Sequence, residues 1–203
     1  MNGGYDVGYA NCLCFWGREP GSLVKRLAIH VPEMYDLDIL DAGCGEGKNA
    51  AYLGNLGARV KAVDCSSLAI ANAKATWTQC ENISWEVANI QTLDLPISYD
   101  IVVAYGLLHC LNGADEVSRL VEKLKDSTLP AGFHVVCAFN SRFQQLEAHP
   151  GFHPCLLSHT EYLAMYEGWE ILEQSDSDLT ETHPHNQIEH THSMTRIITR
   201  KPS

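Results

Sequence analysis

The sequence predicts an α/β protein, a single domain built on a doubly wound sheet of seven strands, mostly parallel, with an antiparallel last strand. Three observations predict it. The stretch Leu37 to Ala51, LDILDAGCGEGKNAA, is an apolar run that passes through closely spaced glycines into a helix-forming segment. Strand-like apolar runs then alternate with helical periodicity as far as Phe139, which reads as five β-then-α units. The chain closes on a terminal pair of strand-like runs. Parallel neighbours need a long crossover, usually a helix, so this alternation specifies a parallel sheet with helices on both faces.

Each element has a local cause. Glu19 and Pro20 open a helix in which Leu23, Val24 and Leu27 share one face, and Pro32 closes it. Ahead of it, Tyr9 to Arg18 is aromatic and loop-like. It is either a lid over a bound cofactor or a segment whose Phe15 and Trp16 pack on the core. After the glycines, a helix from Lys48 to Leu56 ends at Gly57, and Ala58 to Val63 forms the second strand. Ser66 or Ser67 caps the next helix, with Ile70, Ala73 and Trp77 at helical spacing. Ile83 to Val87 is a short third strand. Tyr99 to Ala104, YDIVVA, is apolar throughout and predicts a strand buried on both faces. Asp115 to Ser127 places Val117, Leu120, Val121 and Leu124 on one helical face. Pro130 and Gly132 turn the chain into a fifth strand, Phe133 to Phe139. Asn140 to Leu157, with two prolines, reads as an irregular insertion on the substrate side. Ser158 and Glu161 form a capping box, and Trp169 to Glu173 and Met194 to Thr199 are the last strands. The domain thus divides into an N-terminal lid and helix (1–35), a cofactor-binding core (36–139) and a substrate-side insertion with terminal strands (140–203).

At 203 residues the chain is long enough to bury a sizeable core, and its net charge of -11 leaves no broad basic surface. That weighs against duplex nucleic acid, whose affinity comes largely from phosphate neutralisation, and favours a small-molecule substrate. Most of the eight cysteines fall in apolar or helical stretches, as free thiols in a reducing cytoplasm would. The start carries no signal-peptide pattern, and no apolar run reaches the ~20 residues of a membrane span, so no membrane partner is expected. The assembly expected is a monomer or homodimer.

Function is written in the glycine turn. Glycines are needed where backbone adopts positive φ or touches a ligand, and the following helix aims free N–H groups over the turn. The spacing Gly43, Gly45, Gly47 differs from the G-x-G-x-x-G of dinucleotide sites, and Asp41 stands beside it. An acid there would repel a pyrophosphate but suits a ligand carrying ammonium and sulfonium charges. Asp64, at the end of the second strand, is placed to accept hydrogen bonds from two ribose hydroxyls.

Asp41, Gly43, Cys44, Gly45 and Gly47 match, without a substitution, the first motif of the class I S-adenosylmethionine (SAM) methyltransferases, and the chain resembles that family from about Trp16 to Lys201. The aromatic FWGREP lead-in and the HTHS ending before RIITRK resemble its small tellurite-resistance-type branch. The resemblance implies a Rossmann-like fold, SAM as cofactor with S-adenosylhomocysteine as product, and cofactor contacts from Asp41, Gly43, Cys44, Gly45, Gly47, Asp64, Cys65, Asn89, Ile90 and Tyr105. The family commonly has an acid near Asn89; the amide still offers a carbonyl acceptor. The expected activity is methyl transfer to a small acceptor such as a thiol, oxyanion, carboxylate or hydroxyl. Two alternatives are a SAM-binding protein without transfer activity and a protein or RNA methyltransferase.

On the substrate side the expected residues are Trp16, Arg18, Arg142 and His192, with Tyr105, His109 and His185 as catalytic candidates. A guanidinium binds two oxygens of an oxyanion at once, and a neutral imidazole takes a proton from an acceptor. Four of the ten histidines crowd into HPHNQIEHTH: His183, His185, His190 and His192. H-x-H pairs across a hairpin could form a tetrahedral metal site. With no acid or cysteine completing a familiar ligand spacing, the expectation is a polar hairpin and no metal.

Overall fold

The computed structural model describes residues 5–149, 151–182 and 187–203. Seven strands, β1 (Asp38–Ala42), β2 (Arg59–Asp64), β3 (Ile83–Val87), β4 (Tyr99–Tyr105), β5 (Thr128–Gln144), β6 (Glu170–Glu181) and β7 (His190–Arg200), form one sheet in the order β3-β2-β1-β4-β5-β7-β6. Neighbours from β3 through β5 are parallel, and β7 lies antiparallel between β5 and β6. This is the architecture the alternating pattern predicts.

Helices α1 (Asp6–Asn11), α2 (Ser22–Arg26), α3 (Lys48–Asn55), α4 (Ser67–Thr76), α5 (Ala114–Asp126) and α6 (His159–Ala164) cover the sheet. Strand alternation sorts the core into two layers. On one face Val102 and Ala104 of β4 join Val117, Leu120 and Val121 of α5 and Tyr162 of α6. On the other, Ile101 and Val103 join Leu23 and Val24 of α2, Leu53 of α3 and Ile70 of α4. Each such large aliphatic side chain contributes about 1.5–3 kcal/mol by leaving water. The predicted caps form: Ser66 accepts the Ala69 amide, and Ser158 and Glu161 cap α6 reciprocally.

Six readings need correction. The β3–β4 connection, 88–98, has no helix, so only four of the five β units carry one. The expected helix from Glu19 is short, continuing only as a 3-10 turn over Leu27–Ile29. Residues Asp6–Asn11, partly inside the expected loop, are helical. Pro130 and Gly132 lie within β5, where Ala131 at φ +61° and a shift in register mark a bulge. Pairing with β7 also carries β5 on to Gln144, so the start of the expected irregular insertion is strand. For the same reason β6 and β7 run well beyond the short segments their apolar residues suggest: polar alternation in Gln174–Glu181 hides a strand whose partner is distant in sequence.

Candidate functional site

The sheet order reverses between β1 and β4, and the loops leaving the carboxyl ends of these two strands diverge there to open a crevice. β1 delivers the glycine turn and β4 delivers Tyr105, Gly106 and Leu107 to one cleft, which Asp64 and Cys65 of the β2 end also line. The turn requires its glycines: Gly43, Gly45 and Gly47 have φ of +70°, +53° and +78°. They are not equivalent. A Cβ on Gly47 would sit 2.3 Å from the Trp85 ring and one on Gly43 2.8 Å from Leu107, whereas one on Gly45 would meet Tyr9 Oη at 3.2 Å. Gly47 therefore serves packing, and Gly43, Cys44 and Gly45 face the cleft.

Asp64 is held in place by backbone. Its Oδ2 accepts the Gly45 amide and its Oδ1 the Ser66 amide, both at 2.8 Å. Each oxygen keeps a second lone pair for a hydroxyl in the cleft. Burial raises its pKa against those two bonds. Asp41 is fully buried on β1, accepts the Ala50 amide, and is raised to about 7 chiefly by burial, with Asp64 adding to the rise. Its Oδ2 is the one buried side-chain oxygen without a hydrogen-bond partner among the described residues. A carboxylate oriented at a glycine-rich turn, with a second acid beneath it, fits a cationic nucleoside such as SAM.

The N-terminal segment roofs this turn. Glu46, buried at 6 % exposure, accepts the backbone amides of Cys14 and Phe15, and Asn72 donates to both Glu46 and the Tyr9 carbonyl. Lys48 donates to the Trp16 carbonyl at 2.8 Å, and Asn49 accepts the Gly21 amide at 2.9 Å. Of the two expected readings, core packing holds for Phe15, which lies with Tyr9 and Ala69, whereas Trp16, with Tyr5 and Tyr9, lines the cleft.

Opposite the glycine turn, the wall consists of Tyr105, His109, Cys110, Phe139, Leu179, Glu181 and Met194. Burial drives the Tyr105 hydroxyl far above its ordinary pKa, so it stays protonated. His109 Nδ1 accepts the Phe139 amide at 3.1 Å, which puts its proton on Nε2, and burial lowers its pKa to about 3. A neutral ring in that tautomer has no lone pair left to take a proton. Glu181, partly buried at the end of β6, has its pKa raised by burial.

The other expected residues are not gathered here. Asn89 and Ile90 follow β3 outside the cleft lining, and the Asn89 Oδ1 accepts the Gln91 amide. Arg18 is exposed and off the cleft. Arg142 pairs with Asp176 and Asp178 on the surface, so its guanidinium is already engaged. His192 is fully buried behind Phe139, its ring stacked on that side chain at 4.1 Å. His183 and His185 lie outside the described residues. Sequence reading missed Glu46, Lys48 and Asn49 as latches, although Glu46 stands inside the glycine motif and the other two directly follow it. It missed Glu181 because the expected strand ended at Glu173; once the strand runs on to Glu181, alternation puts Leu179 and Glu181 on one face.

Comparison with known proteins agrees with this fold. The family described as "Tellurite resistance protein TehB" matches residues 28–195. A curated relative from Haemophilus influenzae, named "Probable S-adenosyl-L-methionine-dependent methyltransferase TehB", is 27% identical over 146 residues, 68% of this chain and 48% of that protein. The chain thus spans about half the length of the curated relatives it matches first. The crystal structure of TehB from Haemophilus influenzae superposes with a TM-score of 0.72 at 24% identity, covering 88% of this chain and 61% of that one. The Burkholderia thailandensis 1,6-didemethyltoxoflavin-N1-methyltransferase, solved with 1,6-didemethyltoxoflavin and S-adenosylhomocysteine, superposes at 0.65 with 19% identity, covering 89% and 77%. These similarities share the fold seen here.

Proposed function

The chain belongs to the TehB family of tellurite resistance proteins, a branch of the class I SAM-dependent methyltransferases, and from that premise we propose that it methylates a small-molecule acceptor bound in the cleft. The observation that carries the reading is the Asp64 carboxylate, fixed by the Gly45 and Ser66 amides at the lip of a glycine-rich turn in a cleft that Trp16 also lines. Bound there, SAM supplies a methyl group already activated for displacement. Asp64 holds the ribose hydroxyls, Gly43 to Gly45 let the ligand lie against backbone, and Asp41 favours the positive end. The roof excludes water and aligns the reactants, an effect worth on the order of 7 kcal/mol or more.

Glu181, rather than His109, is the group suited to take a proton from a neutral acceptor, because its carboxylate faces the cleft while the His109 lone pair is engaged. Tyr105 stays protonated and can donate to the acceptor. A covered, aromatic-walled cleft and an acidic chain support a small acceptor over a protein segment or RNA, as does the small substrate named for the Burkholderia relative in fold.

Calorimetric titration with SAM tests the reading. Micromolar binding that Asp64→Ala weakens by at least about tenfold, the value of one hydrogen bond to a charged group, is expected. Absence of binding to folded wild type would sink it. Asp64 is a cleaner probe than Gly43, whose substitution would also displace Leu107. Labelled-methyl transfer to thiols, metalloid oxyanions and carboxylates then identifies the acceptor class.

A further inference from the structure

Behind the aromatic wall of the cleft, three imidazoles converge. His149, in the loop after β5, has its Nε2 3.3 Å from Nε2 of His190 and 3.2 Å from Nε2 of His192. The last two share one face of β7, and all three are buried, at 6 %, 1 % and 0 % exposure. The outer nitrogens of the β7 pair are committed. His190 Nδ1 lies 2.7 Å from the Ile188 carbonyl oxygen, and His192 Nδ1 2.7 Å from Gln144 Oε1. The Gln144 amide cannot be reversed, because its Nε2 donates to the carbonyls of Asn140 and Ser193. A carbonyl oxygen only accepts, so each Nδ1 carries the proton and each Nε2 turns a lone pair toward the centre. His149 Nε2 stands within 3.3 Å of both, so three ring nitrogens converge on one point.

A cation resolves this arrangement. Two nitrogens bound to one tetrahedral ion at 2.0–2.1 Å stand about 3.3 Å apart, close to the separations of His149 from His190 and from His192. Three imidazoles without a carboxylate favour a borderline ion over magnesium or calcium. Carbonyl acceptors behind the ligand rings are the usual means of orienting metal-binding histidines. We propose that His149, His190 and His192 form a site for a transition-metal dication of the zinc class, with the Ile188 carbonyl and Gln144 setting the tautomers. The ion ties the loop after β5 to β7. His149 stacks on Trp16 at 26° and 6.1 Å, and Phe139 lies against both His192 and His109 at 4.1 Å. Binding there steadies two cleft-lining side chains without entering the cleft itself. The inference does not depend on methyl transfer.

The test uses tag-free full-length protein stripped with a chelator. Calorimetric titration with Zn²⁺ should give one ion per chain, and Co²⁺ should give visible ligand-field absorption of a low-coordinate site. His149→Gln and His190→Gln, checked for folding by circular dichroism, should each lose stoichiometric binding. Gln144→Leu keeps all three ligands and should weaken it by about 10–100-fold. A paired His183→Ala and His185→Ala variant should bind as wild type does. No stoichiometric uptake by folded wild type, uptake that survives His149→Gln, or loss confined to the His183/His185 variant would each overturn the proposal. Should His149→Gln fail to fold, the graded loss in Gln144→Leu decides.

Discussion

Asp41 shows at the scale of one residue how a site can cost stability. Its pKa of about 7 in the folded chain exceeds the ordinary carboxyl value near 3.9, so the folded state binds the proton more tightly. This contribution is complete below about pH 4 and is lost as pH rises through 7, on the order of 4 kcal/mol by pH 8. In the absence of SAM, Asp41→Asn should therefore melt higher than wild type at pH 8, with the gain shrinking at pH 5. An equal gain at both values would refute burial as the cause. Glu181 carries a second residue-scale prediction. As the proton acceptor for a neutral substrate, Glu181→Gln should lower kcat by roughly a hundredfold or more while leaving the SAM dissociation constant nearly unchanged. Parallel losses in both would make it a binding residue instead. Both carboxyls were visible in the sequence, but only Asp41 announced itself, because a glycine motif follows it directly.

Among the elements, the glycine turn and the roof depend on each other. The Glu46 carboxylate takes two amides of the roof, each bond to a charged group being worth about 1.5–3 kcal/mol. Glu46→Ala should leave the sheet folded but speed hydrogen exchange and proteolysis around Cys14 and Phe15, with weaker SAM binding. Unchanged exchange there would show that packing of Tyr9 and Phe15 holds the roof by itself. Gly47→Ala should act differently. Its φ of +78° and the Trp85 ring at 2.3 Å demand backbone strain plus a displaced indole, so thermal stability should fall by several kcal/mol even without ligand. A variant that melts normally and loses only SAM binding would assign Gly47 to the cofactor after all. The sequence motif treats its three glycines alike; their separate duties come from what packs on each.

Across the whole molecule, the net charge of -11 sets a field that attracts a cationic cofactor. Raising salt well above physiological strength, where the screening length drops below ~8 Å, should slow SAM association while the neutral product analogue adenosine is little affected. Stopped-flow binding at two ionic strengths checks this, and equal slowing of both ligands would count against steering. Among the described residues no helix is long and apolar enough to cross a membrane. The family match begins at residue 28, yet the roof that completes the cleft is drawn from residues 5–21, upstream of it.

The sequence by itself determined the elements whose cause is local: the glycine turn and its acid, the capping box of Ser158 and Glu161, the two-faced apolar strand of YDIVVA, the amphipathic α5, and from their order the parallel sheet with a reversed last strand. It also placed Asp64, because a strand end after a glycine motif has one geometric destination. Tertiary structure decided what depends on partners far along the chain. The lengths of β5, β6 and β7 rest on mutual pairing, since Ser175–Glu181 has no apolar run to declare a strand. The engagement of Arg142 required Asp176 and Asp178 on a neighbouring strand, and the tautomer of His109 required the Phe139 amide. His149 met His190 and His192 only because a loop more than forty residues upstream folds onto β7. Periodicity encodes which face a side chain takes; it carries no record of what the fold brings to meet it.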